Sequence, residues 1–522
     1  MAIHGFGIHL LTREGEVFTL LAASIFCYAI SVGVYNVFFH PLKHYPGPKL
    51  WAVSRIPYSS MYLSGDAHRR LLSLHRHYGP VVRVAPNELS YNHPDAWKDI
   101  MGRRRTPNGE NGRDPAFFSK DILHSIIAAD KENHSRIRHN LARSFSPQAL
   151  RDQQPIIQHY VDMLISLLRQ QCDNGRRAVN LVRWLNYTTF DIVGDLAFGE
   201  PFHCLEASDY VPFVELVFQS IKSAAFLFCA RRYPLIEGFL MLLVPKSVRR
   251  KLQDHYDWTQ ERVSKTLSAK KARPGFMEAL VGYGNSGLKS TEKLTEIEVL
   301  ATSNTLIVAG SETTATVLSA TLYYLTTHPR VLSTLTEEVR STFSSEKDIT
   351  LLSVQTLRYT LAVLDETMRI HPAVPTGPPR LIAKGGDTVL NQYVPEDTVV
   401  SVWQWPLYHN PDYFTLPDSF IPERWIDDER FAQDKTHAFT RLVWNFDLKL
   451  ADESRGWAEA SKVFLLWEKG PLMVHLTPRK IIAVAKTSLT VIREDITETA
   501  HIERAPEDSV SVDESRVQRS QE

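Results

Sequence analysis

A helical pattern of about 32 residues, from Thr295 to His328-Pro329, sets the scale on which the rest of this chain must fold. At 1.5 Å per residue it spans roughly 48 Å, the width of a whole domain, so other elements have to pack along it. Thr295-Glu296-Ile297-Glu298 has the form of a capping box, in which a hydroxyl and a carboxylate satisfy each other's unpaired N–H groups. Pro329 marks the end. Midway stands Ala309-Gly310-Ser311-Glu312-Thr313-Thr314. A glycine inside a helix costs about 1 kcal/mol relative to alanine and asks for a reason. One reason is an opened turn, where an acid and two hydroxyls pass protons to a buried ligand. The other is a small-residue face that lets a second helix approach.

The surroundings are mainly helical. Apolar spacing is helical over Ile156–Leu168 and Phe213–Phe228, and Phe276–Val281 also reads as helix. Strands are expected at Val81–Val84 and Val399–Val402, which makes the fold class mainly α with small β-sheets. The 522 residues carry 59 basic and 59 acidic side chains, a net charge of +0 that excludes nucleic acid as the main partner. Four cysteines, Cys27, Cys172, Cys204 and Cys229, show no CxxC spacing, which excludes a disulfide framework and the usual zinc sites. No cysteine follows Cys229. Gly282-Tyr283-Gly284-Asn285-Ser286-Gly287 matches a dinucleotide fingerprint, but it follows a helix instead of a strand and reads as a loop. His68, His75 and His77 form no HExxH motif and are assigned to a solvated helix face.

Val17–Phe39 is an apolar run of 23 residues without charge, about 34 Å as a helix and long enough to span a bilayer. A signal peptide would have a shorter apolar core ending at a small-residue cleavage site, whereas this run ends in Phe38-Phe39-His40-Pro41. Lys43, Lys49 and Arg55 follow the span, while Arg13 before it is offset by Glu14 and Glu16, so the large C-terminal part is expected in the cytosol. The expected organisation is a lumenal tip (1–16), an anchor (17–39), a proline-rich linker (40–60) containing Tyr45-Pro46-Gly47-Pro48, one large domain (61–480) and a polar tail (481–522). From Arg493 onward the tail holds nine acidic and four basic residues and no Phe, Tyr or Trp, a composition that reads as disordered. A cytosolic domain would never expose the sequons Asn133-His134-Ser135 and Asn186-Tyr187-Thr188 to the glycosylation machinery.

Glu366-Thr367-Met368-Arg369 places an acid and an arginine one helical turn apart. Leu361, Val363, Leu364, Met368 and Ile370 make this helix strongly apolar, so the pair is expected to be buried and to need a third partner. Arg424, in Phe420-Ile421-Pro422-Glu423-Arg424-Trp425, supplies one. With these motifs in hand, the chain resembles the cytochrome P-450 family of haem-thiolate monooxygenases in its membrane-anchored eukaryotic form. The resemblance runs from the anchor to about Arg479 and is nearest to fungal hydroxylases of secondary metabolism, of the isotrichodermin type. It implies the P-450 fold, haem as cofactor, electrons from an NADPH-cytochrome reductase, a small lipophilic substrate, and a single-pass location in the endoplasmic reticulum membrane. By the same resemblance Ala309 and Gly310 would lie over the haem. Thr313 would hydrogen-bond the oxygen and Glu312 would help relay protons. His134, Arg138 and Arg380 would grip the propionates, and Glu366, Arg369 and Arg424 would form the buried charged triad.

One family feature is absent. The loop of the form FxxGxRxCxG, which supplies the cysteine thiolate that pushes electron density onto iron, should follow the segment ending at Trp425. Instead Ile426–Phe439 leads directly into Thr440-Arg441-Leu442-Val443-Trp444-Asn445-Phe446-Asp447, as though the cysteine loop and most of the next helix had been removed near Phe439. The fold is therefore expected to be truncated there, with no metal ligand; His437 lies close by but lacks the thiolate push. Two functions stay open: a monooxygenase whose sequence has lost a segment, or a non-catalytic anchored relative retained for binding.

Overall fold

The computed structural model describes residues 2–102, 110–118, 122–210, 212–268, 275–281, 293–426 and 446–478. In the N-terminal part the order is α1 (Ala2–Phe38), α2 (Lys49–Val53), α3 (Ile56–Leu63), α4 (Ala67–Tyr78), β1 (Val81–Ala85), β2 (Glu88–Tyr91), α5 (Pro94–Met101) and β3 (Gly112–Arg113). A helical middle follows: α6 (Lys131–Ala142), α7 (Pro147–Gln171), the short β4 (Ala178–Asn180), α8 (Leu181–Phe198), α9 (Cys204–Ala207), α10 (Pro212–Arg231), α11 (Pro234–Leu243), α12 (Lys246–Ser268), α13 (Phe276–Val281), α14 (Glu296–Thr327), α15 (Pro329–Thr342) and α16 (Arg358–Ile370). The C-terminal part holds β5 (Arg380–Leu381), β6 (Asp387–Val389), β7 (Gln392–Val394), β8 (Val399–Val402), α17 (Gln404–Tyr408), β9 (Phe446–Leu450), β10 (Lys462–Val463), β11 (Trp467–Glu468) and β12 (Met473–Pro478).

Five strands form one sheet in the order β1-β2-β8-β5-β3. Its parallel pair, β2 and β8, sets Leu89 beside Val400, and the residues of both strands are buried on either face. That two-sided burial explains why Val399–Val402 is a continuous apolar stretch and not an alternating one. A second sheet, β4-β12-β9, closes the other side, and β10 pairs with β11 in a small hairpin.

The main core is helical. Leu164, Leu168, Leu181, Phe190, Leu318 and Leu322 are all at most 3% exposed, and they join α7, α8 and α14 into one cluster. Helix α1 has a different environment: Leu20, Leu21, Ile25, Phe26 and Tyr28 are exposed, and Thr19–Phe38 is a 20-residue stretch of mean hydropathy 1.8. Its foot is docked against α2. The Asn36 amide donates to the Val53 carbonyl (3.1 Å), and a Cβ on Gly33 would meet Val53 at 3.2 Å. These contacts account for two of the polar or small interruptions in the apolar run.

Two sequence-based expectations change here. His68 and His75 are not on a solvated face. His68 is fully buried, edge-on to Trp405 (4.7 Å) and Trp467 (5.3 Å), and burial pushes its pKa down to about 3. His75 bridges the Gly79 carbonyl (3.0 Å) and the Ser90 hydroxyl (2.9 Å), with its pKa lowered to about 4 by burial. Only His77 is exposed. The cause is tertiary, since α17 and β11 cover the face of α4 that carries His68. The loop 282–287, the junction at Phe439-Thr440, His437 and the tail from residue 481 lie outside the described residues.

Candidate active site

Helix α14 starts as its sequence demands. The Thr295 hydroxyl accepts from the Glu298 N–H (3.4 Å), and the Glu298 carboxylate accepts from the Thr295 N–H (2.8 Å). Arg136 of α6 also pairs with Glu298 and ties the two helices together at this end. Along most of its length α14 is buried, but Ala309 is exposed and Thr313, one turn on, is half-buried, so the two share a face left open. The expected opened turn is not present: α14 is continuous, the Thr313 hydroxyl donates to the Ala309 carbonyl (2.6 Å) and the Thr314 hydroxyl to the Gly310 carbonyl (2.7 Å). Gly310 instead allows close packing, because a Cβ there would meet Val193 of α8 at 3.0 Å. The small-residue face is the correct account of that glycine.

Glu312 points elsewhere. It is 2% exposed, and its carboxyl forms an ion pair with Lys469, itself 3% exposed, in the turn after β11. Lys469 also donates to the Thr316 hydroxyl (2.7 Å), which lies 3.3 Å from the same carboxyl oxygen. Neighbouring residues on a helix point about 100° apart, so Thr313 and Glu312 serve different spaces. Glu312 and Lys469 line a cavity of about 1420 Å³ between α8, α10, α11 and the β10–β11 hairpin, walled by Phe226, Leu227, Leu240 and Trp467. Sequence reasoning missed Lys469. A lone lysine in Trp467-Glu468-Lys469-Gly470 carries no local signal that it will be buried.

The structure brings Glu366, Arg369 and Arg424 together. Glu366 is 0% exposed in its side chain and accepts from Arg369 Nε (2.9 Å), the Arg369 terminal nitrogen (2.8 Å) and Arg424 Nε (3.2 Å). Two further donors reach it, Trp425 Nε1 (2.9 Å) and the Ile421 N–H (2.9 Å). Arg369 spends its remaining N–H groups on the carbonyls of Tyr408, Pro417 and Ser419. This is a fully hydrogen-bonded buried charge cluster, the form in which such groups are tolerated.

The residues expected to hold an anionic cofactor edge are divided. Arg380 sits in β5 directly opposite Arg113 in β3, and it donates to Met101 Sδ (3.2 Å). Burial lowers the pKa of both arginines, and Arg380 lowers that of Arg113 further. Two desolvated cations held side by side favour an anion between them, so Arg113 joins Arg380 as a candidate propionate contact. His134 is half-buried on α6, whereas Arg138 on the same helix is exposed. Iron ligation is another matter. Among the described residues no group of His, Cys, Asp or Glu is arranged to hold a metal. Cys27 is in the exposed stretch of α1, and Cys172 and Cys204 are buried in the helical core. Cys229 is buried on α10 and its thiol is pushed up to about 11 by that burial, which disfavours the thiolate form. Among the described residues, Arg113 and Arg380 could hold the anionic edge of a haem, while the thiols of Cys172, Cys204 and Cys229 are buried.

Comparison with known proteins shows the family. The cytochrome P450 family model matches residues 45–440, ending at the junction noted above. The trichothecene C-15 hydroxylase of Fusarium sporotrichioides is 45% identical over 478 residues, covering 87% of this chain and 96% of the relative. The cytochrome P450 monooxygenases astA of Talaromyces wortmannii and astJ of Aspergillus oryzae are 40% and 39% identical over 88% and 86% of the chain, covering 97% and 94% of those relatives. The 478 aligned positions exceed 87% of 522, so some positions of the first relative have no counterpart here. The chain belongs to the cytochrome P450 family, haem-dependent oxidoreductases, and is similar to fungal monooxygenases of secondary metabolism.

Proposed function

We propose that this chain derives from a membrane-anchored monooxygenase that oxidises a small lipophilic metabolite with electrons from an NADPH-cytochrome reductase, and that it lacks the segment needed for turnover. The observation that carries the second half is the passage from Trp425 to Phe446 without a cysteine, at the place where the family match stops. Both flanks of that passage are held: Arg358 donates to the Ile426 carbonyl (2.6 Å), and Arg340 pairs with Asp447 (2.6 Å). Ala309 and Thr313 contribute the open face of α14, His134 and Arg380 with Arg113 the anion contacts, and the Glu366 cluster the rigid support beneath. The exposed apolar stretch Thr19–Phe38 supports single-pass anchoring in the endoplasmic reticulum, with the large domain cytosolic.

The test is spectroscopic. Expressed unchanged, the chain gives no thiolate-type carbon monoxide difference spectrum and no turnover. Insertion of a family-type cysteine loop and helix between Phe439 and Thr440 restores the spectrum, and mutation of the inserted cysteine removes it. A thiolate spectrum from the unmodified chain would show that one of the existing cysteines serves iron.

A second reading is a non-catalytic binding protein, for which the 1420 Å³ cavity, its described walls including Phe226, Leu227, Leu240 and Trp467, would be the ligand site. Genomic DNA around Phe439 separates the two. A coding stretch for the cysteine loop supports the enzyme, and a clean junction supports the binder.

A further inference from the structure

The inner wall of the cavity carries polar groups with unused valences. Glu312 Oε1 is taken by Lys469 and Thr316, but Glu312 Oε2 is buried and accepts from no group among the described residues. The Lys469 ammonium has three N–H donors, and two are accounted for, by Glu312 and Thr316. Nearby, the Asn186 amide donates to the Tyr210 hydroxyl (3.2 Å), while Asn186 Oδ1, on a side chain 2% exposed, accepts nothing. The Glu312 charge is close enough to raise the Tyr210 pKa, behind burial as the main cause. Within a lining that also carries Glu215, Lys222, Ser223, Arg249 and Glu468, one face of the cavity thus offers a Lys469 N–H not used by Glu312 or Thr316 and two acceptors, Glu312 Oε2 and Asn186 Oδ1, that have no partner among the described residues.

A buried acceptor left unpaired is costly, so a ligand group that donates to it is favoured. A hydroxyl group is both donor and acceptor, so a single one can accept from Lys469 and donate to Glu312 Oε2. A ketone or ether can do only the first, and a hydrocarbon neither. We propose that the cavity selects lipophilic ligands that already carry a hydroxyl group, anchored between Lys469 and Glu312, with Asn186 Oδ1 available to a second hydroxyl. This rests on the reading of the cavity as the site of a lipophilic metabolite, and it names the class: an alcohol, the product of an earlier oxygenation or hydration. Lys469 then acts as a specificity residue. No step of the anchoring needs iron.

The test is equilibrium dialysis of the detergent-solubilised full chain against menthol, menthone and menthane, with detergent-only controls subtracted. Hydrogen bonds to charged groups predict that menthol binds about tenfold to a hundredfold more tightly than menthane, and more tightly than menthone. Lys469→Met alone leaves Glu312 buried without its cation and can fail to fold, so the working variant is Glu312→Leu with Lys469→Met, which removes both charges. That double variant should lose the preference for menthol, binding menthol no more tightly than menthane. Menthol binding no tighter than menthane overturns the anchor while leaving the lipophile cavity intact. A preference that survives in the double variant also overturns it. Saturable binding of none of the three overturns the anchor and the cavity reading together.

Discussion

Replacement of Glu366 by glutamine changes one oxygen to an amide nitrogen in a buried side chain that accepts five hydrogen bonds. Five donors converge on the two carboxyl oxygens: two from Arg369, one each from Arg424 and Trp425, and the Ile421 backbone. In the variant one of those positions becomes a donor facing donors. The Arg369 side chain, 2% exposed, also loses its counter-charge without gaining water. Removal of one partner from a buried pair costs about 3–5 kcal/mol. Against a typical total of about 5–15 kcal/mol, that is enough to unfold a marginal protein at ordinary temperature. The assay is urea denaturation of the detergent-solubilised chain followed by far-UV circular dichroism, with Glu423→Gln as control. Glu423 pairs with the exposed Arg330 and accepts from the Tyr359 hydroxyl (3.1 Å), contacts an amide oxygen can still accept, so the control should lose far less than Glu366→Gln. If Glu366→Gln falls within about 1 kcal/mol of the unmodified chain, the cluster does not support the fold and the reasoning fails.

Three other outcomes are expected. Gly310→Ala gains about 1 kcal/mol of helix propensity but drives a methyl group against Val193; overpacking costs about 1–3 kcal/mol, so the variant is destabilised and Val193→Ala restores it. A more stable Gly310→Ala would refute the packing account. The folded-state pKa of His68 lies near 3, below the ordinary 6.5, so its contribution to stability is full above pH 6.5 and is lost as pH falls from there toward 3. His68→Phe should therefore show a shallower loss of urea midpoint between pH 7 and about pH 5 than the parent, and equal slopes would exclude His68 as a source of acid sensitivity. Truncation before Pro41 should release the folded chain from salt-washed membranes. Phe239 and Leu242 of α11, 61% and 78% exposed, are the side chains to change if residual attachment remains.

The features legible in the sequence are those with local causes. The capping box, Pro329 and the apolar spacing define α14 because each acts within a few residues along the chain. The ExxR pair was legible because its helix is apolar enough that the two charges had to be buried together, which called for a third partner elsewhere in the chain. The absence of any thiol after Cys229 is a property of composition, and no fold can alter it. Tertiary structure alone decided the rest. It buried His68 between two tryptophans, assigned Gly310 to a helix crossing, set Arg113 opposite Arg380, and turned Glu312 away from Thr313 toward Lys469. Each of these depends on desolvation by residues tens to hundreds of positions away. The energy of a buried polar group is set by which partners surround it, and that is information a local pattern does not hold.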